Sequence, residues 1–342
     1  MRWTLPTGIS EPMQPAITVE HCTSAAAWAT AHDAMRQSVL EQAWCYGEAV
    51  TAASAGKVQA ERWLFRRQDR VIALAQIFAR RIGPLGRFVR LVRGPLFATG
   101  LDRAGRDAVL ALIRAHYPWR QRCLLWWLPE LNGGSESENA MAQIGLRPMV
   151  TGYSSIRLDL TPPVERLRSQ LDGKWRNMLK AAEKSALLLE VASRAEGTWH
   201  GEAFAALMGE HDEHRLENRF LGPDAIFYSA FADAIEGSKD ANEDALLLWA
   251  HAGLHQGRVR PLAGILLLRH GRGATYAMGW SNEAGRLVKA HYRLIWRAVA
   301  ELKSRGVTHL DLGGVDTERG AGVARFKMGL GGEVFTLAGS FV

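Results

Sequence analysis

Two stretches of the chain repeat the same order of short apolar runs and polar turns. The first has an apolar run at 63–65, polar residues at 66–70 and a second apolar run at 71–78. The second has an apolar run at 246–250, a turn containing Gly and His, and a second run at 259–268. Runs of this length between turn residues predict β-hairpins.

Each predicted hairpin is followed by a strand, an amphipathic helix and another strand. These three elements are predicted at 89–92, 103–116 and 123–128 in the first stretch, and at 275–279, 289–305 and 309–312 in the second. Gly306 stands where a helix C-cap is expected. Asp69-Arg-Val-Ile-Ala-Leu-Ala-Gln76 aligns without a gap with Gly257-Arg-Val-Arg-Pro-Leu-Ala-Gly264. The repeated order predicts an internal duplication of one α/β unit.

The segment Asp159-Leu-Thr-Pro-Pro163 separates the two stretches. Thr161 is the candidate N-cap of a helix predicted over 164–185, with the prolines in its first turn. The charges of this helix are mostly basic: Arg166, Arg168, Lys174, Arg176, Lys180 and Lys184. A length of 342 residues exceeds the size at which one hydrophobic core stops growing, so two domains are expected.

The positive charge is concentrated in one segment. The net charge is +7, and nine arginines lie between Arg62 and Arg93 with only Asp69 opposing them. A field of this sign suits RNA, a nucleotide-linked substrate or anionic lipid headgroups. The alternative is that the arginines only solvate the outer faces of the strands.

The remaining composition narrows the class of protein. Cys22, Cys45 and Cys123 are far apart, which favours buried free thiols over disulfides or a zinc site. The sequence has no apolar run of about 18 residues and no signal-peptide order at its start. A cytoplasmic protein is therefore expected.

Three widely separated segments carry a family resemblance. They are Gly173-Lys-Trp-Arg-Asn-Met-Leu-Lys-Ala-Ala-Glu-Lys184, His309-Leu-Asp-Leu-Gly-Gly314 and Ala324-Arg-Phe-Lys-Met-Gly-Leu-Gly-Gly-Glu333. In this order they resemble the Fem family of aminoacyltransferases. The resemblance is best from about residue 156 onward and thins earlier to Gln42-Ala-Trp-Cys-Tyr-Gly47 and Arg93-Gly-Pro-Leu96.

The resemblance implies a fold and a reaction. The fold is α/β (α+β), with two tandem acetyltransferase-like (GNAT-like) domains. The first covers residues 1–155, with 333–342 returning to it, and the second covers 156–332. No heptad run interrupts the second domain, so a compact type without the coiled-coil arm is expected. The family adds amino acids from aminoacyl-tRNA to the peptide of peptidoglycan precursors.

The partners follow from that reaction. The resemblance implies aminoacyl-tRNA as the donor and a peptide or muropeptide-type acceptor, without DNA. Peripheral contact with a membrane-linked precursor is a further expectation, and the chain is expected to be a monomer. An aminoacyl ester is already activated, so no cofactor or metal is expected; the enzyme must supply positioning and charge stabilisation.

Lys327 and Phe326 are the predicted catalytic pair. A cation at the end of a glycine-flanked loop can reach a developing oxyanion or the terminal phosphate of tRNA, and Phe326 offers a flat face for the terminal adenine. The resemblance places this pair at the catalytic centre. The alternative is a surface lysine beside a core phenylalanine.

Substrate contacts are assigned to seven further residues. By resemblance, Tyr276 contacts the acceptor, although a half-buried strand tyrosine fits the pattern equally well. Arg215, Arg219 and Tyr228 occupy the region where the family places an arginine and a tyrosine against the acceptor's phosphates. The spacing from Arg219 to Tyr228 is longer than the family's, which leaves the acceptor open. Tyr46-Gly-Glu48 also lacks the family's basic contact. On the basic helix, Lys174, Arg176 and Lys180 are predicted to bind tRNA phosphates.

The general base is left open by the sequence. His211, Asp212 and His214 form one acid-histidine cluster, and Asp311 or Asp316 near the loop before Lys327 is another candidate. The two histidines have helical spacing, but a single such pair is typical of solvated surface, and no metal is assigned.

Two other functions compete with aminoacyl transfer. A GNAT-like fold also suits an N-acyltransferase that uses acyl-CoA or an acyl carrier. Arg319-Gly-Ala-Gly-Val-Ala324 has the loose pyrophosphate-loop pattern but follows the wrong strand, and the expected position, 281–289, has Gly285 as its only glycine. A non-catalytic RNA-binding protein would use the basic helix equally well.

Overall fold

The structure, a computed structural model, describes residues 16–217, 222–238, 242–255, 258–315 and 320–342. Contacts divide the chain into two compact units. The first consists of the described residues up to Tyr153 together with Thr336–Val342, and the second is Ser154–Phe335.

The first unit is a sheet flanked by helices. Its elements are β1 Ile17–His21, α1 Ala25–Asp33, α2 Trp44–Ala53, β2 Gln59–Arg67, β3 Arg70–Arg81, β4 Arg87–Val92, β5 Leu96–Phe97, α3 Arg103–His116, β6 Cys123–Leu128, α4 Ser135–Gln143, β7 Pro148–Val150 and, from the end of the chain, β17 Ser340–Phe341. Within the described residues the strand order is β1-β2-β3-β4-β6-β17-β7, with β5 pairing with β3. The apolar face of α3 covers one side of this sheet, and α1 covers part of the other.

The second unit repeats this plan. Its elements are β8 Ser154–Asp159, α5 Val164–Gln170, α6 Gly173–Glu183, β9 Leu188–Ser193, α7 Gly201–Glu217, α8 Ala225–Gly237, β10 Glu243–His251, β11 Leu254–His255, β12 Arg258–Val259, β13 Ala263–His270, β14 Gly273–Ser281, α9 Glu283–Leu287, α10 Ala290–Ser304, β15 His309–Gly314, α11 Ala321–Met328 and β16 Glu333–Thr336. The strand order is β16-β8-β15-β14-β13-β10-β9. The core beneath α10 and α6 is rich in Leu and Ile.

The two sheets have the same order of connections. β2, β3 and β4 pair antiparallel, and after α3 the chain returns as β6, parallel to β4. β10, β13 and β14 do the same, and after α10 the chain returns as β15, parallel to β14. The expected fold class, two tandem GNAT-like α/β units, is confirmed. The predicted helix 103–116 and strand 123–128 match α3 and β6 residue for residue.

The last segment of the chain is divided between the two sheets. Phe341 pairs with Trp127 of β6, and Ser340 pairs with Val150 of β7, so the final strand lies in the first sheet. Residues 333–335 do not return with it, because β16 pairs with β8 in the second sheet. Placing all of 333–342 in the first domain was therefore wrong for its first residues.

The basic helix predicted over 164–185 is two helices. α5 ends at Gln170, where Leu171 takes an extended conformation, and α6 begins at Gly173. The Asp172 side chain accepts hydrogen bonds from the backbone N–H groups of Lys174 and Trp175, which caps α6 and makes the break favourable. The cap of α5 is also different from the prediction: Pro163 stands at the N-cap position and no side chain caps the helix.

The strand predicted over 259–268 is interrupted. Residues 258–259 pair with 254–255 in a separate small ladder, and β13 begins only at Ala263. Pro261 has no N–H to donate to a ladder, which explains the interruption. The Gly306 cap is as predicted, with φ +74° directly after α10.

None of the helices within the described ranges has the length and apolar composition that crossing a bilayer requires.

Candidate functional site

The parallel strands of the second sheet separate at one end. β14 and β15 pair from Gly273–His309 to Thr275–Asp311, and no pairs follow although both strands continue. Beyond this point β14 carries Tyr276 and an irregular register in which Ala277 has no partner on β13. Ligands of open α/β sheets bind outside the carboxyl ends of parallel strands. The opening between β14 and β15 is therefore the candidate site.

The first sheet has no such opening. β4 and β6 stay paired over all six residues, from Arg87–Cys123 to Val92–Leu128. α4 follows β6 in the first unit as α11 follows β15 in the second. Its sequence, SESENAMAQ, contains no lysine. The site is thus a property of the second unit.

Lys327 lies at the separated end of the strands. It is in the last turn of α11 and only 9% exposed. Its ammonium donates to the carbonyl oxygen of Gly314 at 2.9 Å and lies 5.9 Å from the ring centroid of Tyr276. Burial lowers the pKa of Lys327 to about 8, against the opposing effect of the nearby Asp311 charge.

Asp311 is fixed on the strand beside this lysine. Its carboxylate accepts from the Ser155 hydroxyl on β8 and, at 2.9 Å, from the Gly313 N–H. Gly313 has φ +74°, and a Cβ there would lie 3.7 Å from both the Lys327 Nζ and the Tyr276 carbonyl oxygen. The Asp-Leu-Gly-Gly motif therefore supplies the turn, through the positive φ of Gly313, and the carboxylate beside the lysine.

Tyr276 forms a half-buried polar pair with His291 near the start of α10. The Tyr276 hydroxyl lies 2.8 Å from His291 Nε2. Burial lowers the pKa of His291 to about 4 and raises that of Tyr276 above its ordinary value. Both groups are thus neutral at pH 7, and the pair fixes the tyrosine ring beside Lys327.

Phe326 belongs to an aromatic cluster that shares His291 with the Tyr276 pair. Its ring meets His291 at 5.6 Å and Tyr292 at 5.0 Å edge-on, and Trp175 at 5.8 Å in a tilted arrangement. The Trp175 indole N–H donates to the Phe326 carbonyl at 3.1 Å. A Cβ at Gly329 would lie 2.7 Å from the Trp175 ring, so this glycine permits α11 to lie against α6.

The residues predicted to contact the acceptor differ in their burial and in their distance from Tyr276. Tyr228 on α8 is buried, which raises its pKa, and its hydroxyl lies 3.5 Å from the carbonyl of Ala277 beside Tyr276. Arg215 on α7 is half-buried and lies 3.5 Å from Asp212. Arg219 falls outside the described residues. Their role with an acceptor remains a prediction.

The residues predicted to bind tRNA lie on α6. Lys174 and Lys180 are exposed, whereas Arg176 is half-buried and donates to the Leu171 carbonyl at 3.1 Å. The opposite side of the helix, with Trp175 and Leu179, is buried in the core. α6 therefore presents lysines to solvent while its tryptophan supports Phe326.

The acid-histidine cluster joins α7 to α8. His211 Nε2 donates to the Pro223 carbonyl at 2.9 Å, and the Asp212 carboxylate accepts from the Ala225 N–H at 3.2 Å. The side chain of His214 and all of Asp316 fall outside the described residues. Of the candidate bases, Asp311 is the one placed beside Lys327.

Two members of the site were missed in the sequence. Trp175 lies in the recognised Lys-Trp-Arg segment, but only its basic neighbours received a role. His291 was read as part of the start of a helix, and its partner is 15 residues away on a strand. A local apolar pattern contains no signal for such a pair.

Replacing Gly279 tests the pair. A Cβ at Gly279 would lie 2.0 Å from the Tyr276 hydroxyl oxygen and 2.6 Å from the His291 ring. Gly279→Ala must displace at least one of the two side chains, and we expect the free energy of unfolding to fall by about 1–3 kcal/mol because these half-buried polar groups lose their partner. Gly209→Ala on α7 is the matched control, since open space surrounds that position. It should raise helix stability by up to about 1 kcal/mol. Equal denaturant midpoints for Gly279→Ala and the wild type would contradict the pairing.

Comparisons with known proteins concern the fold and the C-terminal part of the sequence. The FemAB family model matches residues 233–342. A search of curated protein sequences finds no match. The crystal structure of FemX superposes with a TM-score of 0.74 at 15% identity, over 94% of this chain and 96% of FemX.

Two further solved structures share the fold. A tandem GNAT protein from the clavulanic acid biosynthesis pathway matches with a TM-score of 0.54 at 12% identity, over 95% of this chain and 97% of its own. L-PGS from Bacillus licheniformis matches with a TM-score of 0.53 at 13% identity, over 92% and 90%. The segment that matches the FemAB model contains Tyr276, Asp311 and Lys327. This segment is part of a FemX-like fold that covers nearly the whole chain. The resemblance to the Fem family is thereby confirmed.

Proposed function

We propose that the protein is an aminoacyltransferase that moves an amino acid from aminoacyl-tRNA to an amine of a peptide acceptor of the peptidoglycan-precursor class. The observation that carries the proposal is the buried ammonium of Lys327 at the open end of the β14–β15 gap. The FemAB match and the FemX-like fold support the same reaction class. Because aminoacyl-tRNA is a cytoplasmic donor, the proposed reaction is cytoplasmic.

The reaction needs charge stabilisation more than a new nucleophile. The acceptor amine attacks the ester carbonyl carbon, a C–N bond forms, and negative charge develops on the carbonyl oxygen. The C–O bond to the ribose then breaks, and the ribose oxygen takes up the proton that the amine releases. Lys327 in this account stabilises the oxyanion, an effect worth about 3 kcal/mol for one well-placed donor.

The environment of Lys327 fits that role. Among the residues that the structure describes, the ammonium donates one hydrogen bond, to the Gly314 carbonyl, which leaves donors for a ligand. It lies in a low-dielectric site, where a charge interacts more strongly than in water. A lysine that only bound RNA phosphates would gain nothing from this burial, which favours catalysis over the RNA-binding alternative.

The donor and the acceptor are assigned to different parts of the site. The half-buried Phe326 would support the terminal adenine of tRNA, with Trp175 and Tyr292 holding its ring. Tyr276, held by His291, would orient the acceptor beside Lys327. Asp311 lies next to the lysine and is the candidate acceptor for the proton of the attacking amine. The alternative is that the substrate itself takes up this proton.

The acyl-CoA alternative is disfavoured by the segment after β14. A pyrophosphate held at a helix N-terminus needs free backbone N–H groups. Here the Asn282 side chain accepts from the Gly285 N–H at 2.8 Å, and a Cβ at Gly285 would lie 2.3 Å from the Leu262 carbonyl oxygen. The only glycine of the loop is therefore committed to packing and to a helix cap.

Replacing Lys327 tests the proposal. Lys327→Met keeps the aliphatic stem and removes the charge, so we expect unchanged or higher thermal stability and about a hundredfold loss of turnover. Lys327→Arg should recover only part, because a planar fork does not replace a compact ammonium. Mass spectrometry of candidate acceptors incubated with a full set of aminoacylated tRNAs supplies the assay and identifies the amino acid.

Lys57→Met is the matched control, since Lys57 is exposed and lies in the first unit. It should leave turnover unchanged. Full activity of Lys327→Met with a verified donor and acceptor would contradict the mechanism.

The lysines of α6 give a separate prediction about RNA. If Lys174 and Lys180 contact tRNA phosphates, the double change to Gln should reduce the slope of log K against log salt by about two. Arg176 is left intact because it is hydrogen-bonded to Leu171. A variant with Arg36→Gln and Lys57→Gln has the same net charge and should keep the wild-type slope. Equal slopes for all three proteins would assign the α6 lysines to solvation.

A further inference from the structure

The structure shows which arginines of the segment 62–93 are neutralised by ion pairs. Five are paired with acidic residues that lie outside the segment: Arg62 with Glu48, Arg66 with Glu20, Arg67 with Asp102, Arg87 with Glu61 and Arg93 with Glu130. Arg80 and Arg81, at the end of β3, are exposed and take part in no ion pair among the described residues. Arg70 is exposed as well, but it lies at the opposite end of β3, so Arg80 and Arg81 are the adjacent exposed arginines at this end of the sheet.

A second turn brings two more arginines to the same end. Arg87 N–H donates to the Arg122 carbonyl at 2.9 Å, and the Arg122 guanidinium donates to the Pro84 carbonyl at 2.9 Å. The turn between β3 and β4 thus lies directly against the turn between α3 and β6. Arg120 and Arg122 are both exposed and, like Arg80 and Arg81, are in no ion pair within the described part of the chain.

The same two turns expose large apolar side chains. Leu85 is 75% exposed and Trp119 68% exposed, and Ile82 and Leu124 are also exposed. Leu124 and Arg80 each pair with Phe88, so they lie on one face of the sheet. We name this surface the basic tip: Arg80, Arg81, Ile82, Leu85, Trp119, Arg120, Arg122 and Leu124.

We propose that the basic tip docks on the surface of a bilayer that contains anionic lipid. Arginines near an anionic headgroup layer each contribute about a fivefold gain in partition. Trp119 is the type of side chain that sits at the headgroup level, with its ring in the apolar layer and its N–H in the polar one. Leu85 and Ile82, in the turn at the end of the hairpin, enter the acyl boundary, as apolar residues of interfacial proteins do.

The aliphatic residues distinguish a bilayer from RNA. An RNA strand would use the arginines for its phosphates and Trp119 for a base. It would leave Ile82, Leu85 and Leu124 in water, because neither phosphates nor base edges cover them. A bilayer covers both the charged and the apolar members of the tip.

Vesicle sedimentation of the full chain tests the proposal without any substrate. The wild type should bind vesicles of phosphatidylcholine with phosphatidylglycerol, and more weakly those of phosphatidylcholine alone. Arg80→Gln, Arg81→Gln and Arg120→Gln together should lower partition into the anionic vesicles by about a hundredfold. Leu85→Ser with Trp119→Ser should lower partition into both kinds of vesicle by at least about tenfold.

Matched control variants distinguish the contribution of the basic tip to vesicle binding from the effects of net charge and of exposed apolar side chains in general. Arg36→Gln, Arg70→Gln and Arg166→Gln change the net charge equally at exposed positions elsewhere, and Leu216→Ser with Ile226→Ser removes equally exposed apolar side chains. Both controls should bind like the wild type, and all variants should keep the wild-type melting temperature because the side chains are exposed.

Three results would overturn the proposal. They are a wild type that does not bind anionic vesicles, tip variants that bind like the wild type, and tip variants that lose tRNA binding while keeping vesicle binding, which would assign the tip to RNA. None of these results depends on Lys327 or on the acceptor, so the proposed function is judged separately.

Discussion

The burial of one ammonium group is the constraint on which the second unit depends. Lys327 is almost fully removed from water, and desolvation of its charge is strong enough to bring its pKa down to about 8. The Gly314 carbonyl, the Tyr276 ring, the Asp311 carboxylate and the C-terminal end of α11 offset part of this cost. Because the unfolded chain would hold this proton up to a higher pH, the lysine opposes folding at neutral pH and its stability penalty decreases between about pH 8 and 10.5. A costly charge held by several separate elements is typical of a functional site.

The position of that charge explains why three distant motifs occur together. Trp175, from the Lys-Trp-Arg segment, supports Phe326 and packs on Gly329 of the last motif. Asp311 and Gly313, from the Asp-Leu-Gly-Gly segment, form the wall against which Lys327 lies. β8 completes the arrangement, because it is inserted beside β15 and its Ser155 holds Asp311. Each motif taken alone is an ordinary helix start, strand end or turn.

The sequence predicts elements well where a pattern is local and less well where a partner is distant. α3 and β6 have complete apolar periodicity, and their limits were correct. The helix over 164–185 was wrong because Asp172 caps a second helix, a contribution that periodicity does not contain. The Tyr276–His291 pair and the acidic partners of the arginines depend on which strands become neighbours. For the same reason the sequence does not show that five of the nine arginines in the segment 62–93 are ion-paired with acidic residues outside it.

The central claim is that Lys327 acts as a cation, and the pH dependence of kcat/KM with verified donor and acceptor tests it most directly. With a pKa of about 8, Lys327 is charged below that pH and neutral above it. If charge stabilisation is its role, kcat/KM should decrease as the pH rises through about 8, and Lys327→Met should lack this decrease. An increase of kcat/KM through the same range that Lys327→Met lacks, which would indicate that the neutral amine of Lys327 acts as a base, or an identical profile in Lys327→Met, would contradict the account.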